Sequence, residues 1–204
     1  LDAFFIDTYE VMAADYQVCV DGAICEYNGG DEEAATYGNP DFSEHPINYV
    51  SWDEAAMYCA FKEKQLPTEA QWEKAARGTD GRTFPWGEEQ ANCDLAVMQD
   101  GGDGCGTLRT LPVGMKPQGK SPYGAYDMAG NVWEWVADYY DDEYYEQAPN
   151  ENPTGPNDGN KHSMRGGAFS TLLQTKFMTW NRNSSLPATR LAGIGFRCVQ
   201  AAAD

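Results

Sequence analysis

Asp127 and Glu134 are the first residues of this chain whose type and spacing suggest chemistry. They lie in YGAYDMAGNVWEW, residues 123–135. Trp133 and Trp135 alternate with Glu134, so a strand-like segment would bury both rings on one face and turn Glu134 to the other. There it would lie beside Asp127 and the carbonyls of a tight turn built from Ala129, Gly130 and Asn131. Clustered hard oxygens of this kind suit calcium. The same two carboxylates could instead satisfy turn amides, as short acidic loops commonly do. Other chemistries have thinner support. The chain has two histidines, His45 and His162, far apart in sequence, whereas a non-haem iron site usually wants two histidines and a carboxylate. His45, in SEHPIN, reads as structural, and His162 as a solvated loop residue. A Ser-His-Asp arrangement stays open on sequence alone, but no G-x-S-x-G elbow is present. Met164 and Met178 offer thioethers and read as core.

The six cysteines permit fifteen pairings. Cys19 and Cys25 flank VDGAI, whose Asp21-Gly22 is turn-like, so they can close a local loop. Cys93 and Cys105 flank a segment rich in Gly and Asp and can close a second. An even count with plausible pairs favours an oxidising compartment. Six buried free thiols in a cytosolic protein is the competing reading.

Composition narrows the partners. A net charge of −18 over 204 residues argues against nucleic acid, which needs a basic face, and against anionic membrane surfaces. The densest acidic run, Asp138 to Glu146, reads as a solvated loop, with a cation or docking patch as the sharper alternative. A saline habitat would also explain the excess acid. No run of eighteen apolar residues exists, so no membrane-spanning helix is expected. The chain begins at Leu1 inside a strand-like run, AFFIDTYEV. The true N-terminus, with any signal peptide, is therefore expected to be missing. AAAD reads as a trimmed or continuing tail.

Two helices must position these residues. Ser51-Trp52-Asp53-Glu54 is a capping box, so a helix should start there and run to about Lys64. Thr68-Glu69-Ala70-Gln71 is a second, behind Pro67, and its helix should end near Gly78. Trp72, Ala75 and Ala76 fall at helical spacing and read as core. Residues 145–161 are rich in Pro, Gly and Asn and read as a long surface loop. The remainder reads as short strands joined by Gly and Pro turns, without internal repeats.

LPTEAQWEKAARG at 66–78, FPWG at 84–87, YGAYDMAGNVWEW, RGG at 165–167 and GFRC at 195–198 occur in one order. Together they resemble the formylglycine-generating-enzyme family, also called sulfatase-modifying-factor domains. The resemblance implies one domain over 1–204, of α+β class: a variant of the C-type lectin fold with little regular secondary structure and two main helices. It implies a Cys59–Cys198 bridge, whose long loop would contribute about 4–5 kcal/mol in the chain-entropy model. It also implies two calcium sites. One comprises the Asn92 side chain, the Cys93 carbonyl, Asp103 and the Cys105 carbonyl. The other comprises Asp127, the Gly130 and Val132 carbonyls, and Glu134. The family often has Asn where this chain has Asp127, a change that adds negative charge and should not weaken a cation site.

The chain departs from the family at one point. Its catalytic members oxidise a substrate cysteine with copper and oxygen, using two cysteines shortly after the RGG-like block. Thiolates are what Cu(I) requires. Here RGGAFSTLLQTKFMTWNRNSSLPATR holds none. Two functions stay open: a catalytically silent binding or assembly module, and an enzyme with relocated residues. The first fits both the retained motifs and the lost thiols. Residues 168–192 would then be the recognition surface, with Phe169, Phe177, Trp180, Asn181, Arg182 and Asn183 as a mixed aromatic and amide set, although the three rings could also be core. The expected partner is a protein or glycan, or the subunits of a larger extracellular assembly, and the expected location extracytoplasmic. Variable proteins of diversity-generating retroelements also resemble the Arg165–Arg197 pattern. Asn183-Ser184-Ser185 is a glycosylation sequon, relevant in a eukaryotic source.

Overall fold

A computed structural model describes residues 1–30 and 32–202. Both capping boxes form. Ser51 Oγ accepts from Glu54 N while the Glu54 carboxylate accepts from Ser51 N, opening α2 (Trp52–Phe61). Thr68 and Gln71 exchange the same bonds at the start of α3 (Glu69–Arg77), which ends at Gly78 with φ +72°. α2 ends three residues before Lys64, because Glu63 turns to positive φ. A third helix, α1 (Ala13–Asp21), has no sequence signature: Met12 precedes it without a side-chain cap.

The strands are short. β1 (Phe4–Ile6) pairs antiparallel with β6 (Val199–Ala201), joining the two ends of the described chain. The main sheet has the order β4-β3-β2-β5, formed by β2 (Trp133–Tyr139), β3 (His162–Arg165), β4 (Asn183–Ser185) and β5 (Ile194–Phe196). β2 runs parallel to β5 and antiparallel to β3. The sheet is small because Gly and Pro turns interrupt the chain every few residues.

β2 departs from the simple alternation expected of it. Trp135 is fully buried and Trp133 only partly, while Glu134 on the opposite face is also fully buried. Both faces are covered. On one side Trp135 Nε1 donates to the Val50 carbonyl ahead of α2. On the other, Trp72 of α3 donates to Glu134. A strand central to a sheet and covered twice has no solvent face for a polar residue.

Three disulfides form: Cys19–Cys25, Cys59–Cys198 and Cys93–Cys105. The first two lie in the main core with Tyr16, Ile47, Trp135 and Phe196. His162 is not solvated. It is buried on β3, stacked 3.9 Å from the Trp52 ring and 4.3 Å from Tyr139. The loop expected over 145–161 carries one short helical turn, Tyr144–Gln147.

Candidate functional site

The turn before β2 is built around close backbone approach. Gly130 has φ +93°, and a Cβ there would lie 2.5 Å from the Val97 carbonyl oxygen, so only glycine fits. Asn131 then points inward and donates to Glu10 at 2.7 Å. Asp127 accepts from Gly114 N at 2.6 Å. Glu134 does not face an open loop. Arg197 donates to both its oxygens, at 2.7 and 2.8 Å, and Trp72 Nε1 adds a third bond at 2.9 Å. Glu134 thus holds the buried guanidinium directly, with the Glu10 and Asp127 charges nearby. Burial, then the charges of Asp127 and Glu134, push the Glu10 carboxyl well above its ordinary range. Burial also raises Asp127.

These positions bear on calcium in two ways. Among the described residues, no three Asp, Glu, His or Cys side chains converge as a metal cage. A cation here would depend on carbonyl oxygens, which calcium accepts. The carbonyls of Gly130 and Val132 accept no backbone hydrogen bond among the described residues. At the other expected site, Asn92 Oδ1 already accepts from Asp94 N. Asp100, rather than Asp103, closes that loop by accepting from Gly102 and Gly104 N.

Residues 168–192 are pinned along their length. Phe169 N donates to Asn131 O, Gln99 N to Thr171 O, Thr179 N to Thr83 O and Trp52 N to Pro187 O. Phe177 and Phe169 are buried, Phe177 beside Phe84 and Met98. They support the surface instead of forming it, because large rings gain most by leaving water. Arg182 is likewise committed. It pairs with Glu69 through Nε and Nη2, each at 2.9 Å, and donates to Asp141 O at 2.7 Å. Its guanidinium lies 4.8 Å from the Tyr140 ring centre and 5.0 Å from Tyr145. Asn181 and Asn183 are half-buried. Trp180 is exposed, and Leu172 and Leu173 join it at the surface. Sequence reasoning missed the two leucines, whose apolar pair within a polar stretch was the available signal.

Beneath Arg182 lies a second buried charge cluster that sequence reasoning also missed. Glu69 accepts from Arg182, Arg165 and Ser163. Burial pushes its carboxyl up, but Arg182 and Arg165 together outweigh that and hold it below the ordinary range. Asp138 accepts from Glu69 N at 2.7 Å, and its other oxygen is buried without a partner. Burial, with the Glu69 charge adding to it, raises Asp138 to about 7. The acidic run therefore begins in the interior, not in solvent.

A family model described as a sulfatase-modifying factor enzyme 1-like domain matches residues 1–202. A formylglycine-generating enzyme of Streptomyces coelicolor is 35% identical over 172 residues, which are 76% of this chain and 52% of that protein. An inactive Cα-formylglycine-generating enzyme 2 of Bos taurus is 40% identical over 108 residues, 48% of this chain and 34% of that one. The chain thus spans about half the length of the first relative. Among solved structures, PvdO from Pseudomonas aeruginosa aligns with a TM-score of 0.81 at 25% identity, covering 98% of this chain and 80% of that one. Treponema denticola variable protein 1 aligns at 0.70 with 21% identity over 98% of this chain and 84% of its own, a likeness of fold alone. With the model matched from end to end of the described chain, this protein belongs to the sulfatase-modifying factor enzyme 1-like family.

Proposed function

We propose that this chain is a non-catalytic binding or assembly module, stabilised by calcium and working in an oxidising, extracytoplasmic compartment. One observation carries the reading. All six cysteines are tied in disulfides, and the segment after RGG has none. No thiolate is left to bind Cu(I) or to attack a substrate. The relative named inactive is consistent with a family scaffold that outlives its activity. Three disulfides fit an oxidising environment.

Calcium would sit at the turn before β2, with Asp127 and the Gly130 and Val132 carbonyls as donors and Glu134 shared with Arg197. A second ion would use Asn92, Asp103 and the Cys93 and Cys105 carbonyls, held together by the Cys93–Cys105 bridge. The recognition surface would be the exposed part of 168–192, led by Trp180 with Asn181 and Asn183 at its edge. Its partner would be a protein or glycan ligand, or subunits of a larger assembly.

The formylglycine-generating relatives favour one competing reading, an oxidase with relocated residues. Copper titration with a cysteine peptide, followed by oxygen consumption, separates the two. The module reading expects no turnover. Turnover by the wild-type protein that is abolished by changing Cys93 or Cys105 would reverse the order of the readings. For a retroelement-diversified protein, the flanking DNA would carry a template repeat and a reverse transcriptase.

A further inference from the structure

A cleft of about 550 Å³ opens between the outer face of α3 and Trp180. Lys74, Arg77, Thr79, Tyr145 and Trp180 line it, with Leu1 beside them. The chain carries −18 overall, yet among the residues that line this cleft Lys74, Arg77 and Arg182 outnumber the single acid, Glu73. Lys74 makes no salt bridge among the described residues. Its ammonium sits 6.0 Å from the Tyr123 ring centre. Arg77 is preset: Nη1 donates to Glu73 at 3.0 Å, while Nη2 has only a long contact, 3.4 Å, to the Gly81 carbonyl. Its guanidinium is stacked 5.1 Å from the Trp180 ring centre. That cation–π contact sets the guanidinium against an exposed indole.

We propose that this cleft binds a short, singly anionic saccharide such as a uronic acid, with Lys74 and Arg77 Nη2 taking the carboxylate and the sugar ring resting against Trp180. The assignment rests on the binding-module reading and names its ligand class. Three features select that class. The volume is that of a small-ligand pocket, within the ordinary range of about 300–1,000 Å³. A free ammonium and an underused guanidinium nitrogen answer one anionic group. The Glu73 carboxylate and the Gly81 carbonyl are acceptors for hydroxyls. Length is limited by repulsion. Asp141, Asp142 and Glu143 are exposed on the loop that carries Tyr145. A long polyanion would run alongside them and be repelled.

The test is a titration of the intact chain with sodium glucuronate, read from the Trp180 indole N–H in 1H–15N spectra. The resonance is assigned by its loss in Trp180→Phe. We expect a saturable shift that weakens with added salt, and glucose to bind at least about tenfold more weakly, roughly 1.4 kcal/mol. Lys74→Gln, and Thr79→Trp, which fills the cleft, should each lose binding by a similar factor, while Lys62→Gln on the far end of α2 leaves it unchanged. Equal binding of glucose, tighter binding of a short glutamate peptide, or no saturable shift from a folded spectrum would each overturn the assignment. The copper and oxygen measurement is independent, so failure here leaves the module reading standing.

Discussion

Two buried charge clusters flank α3 and β2, and their contents differ. Around Glu69, two arginines face two carboxylates, and the additional acid, Asp138, is raised to about 7 and can stay neutral. Around Arg197, Glu134 takes the guanidinium directly, Glu10 and Asp127 lie near enough to feel its charge, and Lys116 is the second cation acting on Asp127. The first cluster balances with protein groups alone. The second lacks positive charge, and burial makes that shortfall expensive. It can be met by a proton on Glu10, whose carboxyl is raised, or by a divalent cation. Hydrogen bonds to a buried carboxylate do not by themselves balance its charge.

The largest expected effect comes from deepening that shortfall. Arg197→Met leaves Glu134 buried without its guanidinium and should cost about 3–5 kcal/mol in urea unfolding. The exposed Arg82–Asp80 pair is the control, since a solvent-screened surface ion pair contributes little. Equal losses at the two positions would mean that the Arg197 cluster is not a buried unit.

Asp138→Asn probes the balanced cluster. A carboxyl whose native pKa lies above its unfolded value binds its proton more tightly when folded. Its contribution is therefore present below about pH 4 and is lost as pH rises to about 7. The wild-type stability should fall relative to Asp138→Asn across that window, by on the order of 2–4 kcal/mol. Parallel stability curves from pH 4 to 8 would remove Asp138 as the titrating group.

Calcium sharpens the contrast between the clusters. At a hundredfold excess over its Kd, calcium should add about 2.7 kcal/mol, seen as a rise in Tm over the chelated protein. Asp127→Ala should abolish that increment. Glu69→Gln should lower the baseline and leave the increment intact. If a chelator shifts nothing, protonation rather than a cation meets the shortfall around Arg197.

Much of the frame was legible in the chain, wherever a signal is local. The two capping boxes announced α2 and α3, and Gly78 its end, because caps involve residues only three apart. The Cys19–Cys25 and Cys93–Cys105 loops are equally short. The Cys59–Cys198 bridge spans 139 residues and came from the family pattern alone. α1 escaped notice because Met12 offers no cap.

By itself, then, the sequence determined the family, the starts of α2 and α3 and the absence of thiols after RGG. Only the tertiary structure decided that both faces of β2 are buried, since the segment ahead of α2 covers Trp135 while α3 and Arg197 cover Glu134. For the same reason it turned Glu134 from an open ligand into half of an ion pair, moved His162 and Phe177 into the core, and made Arg182 a clamp. Burial is a property of what covers a residue, and here the cover comes from segments distant in sequence, as when Arg197 donates to the Asp7 carbonyl 190 positions away.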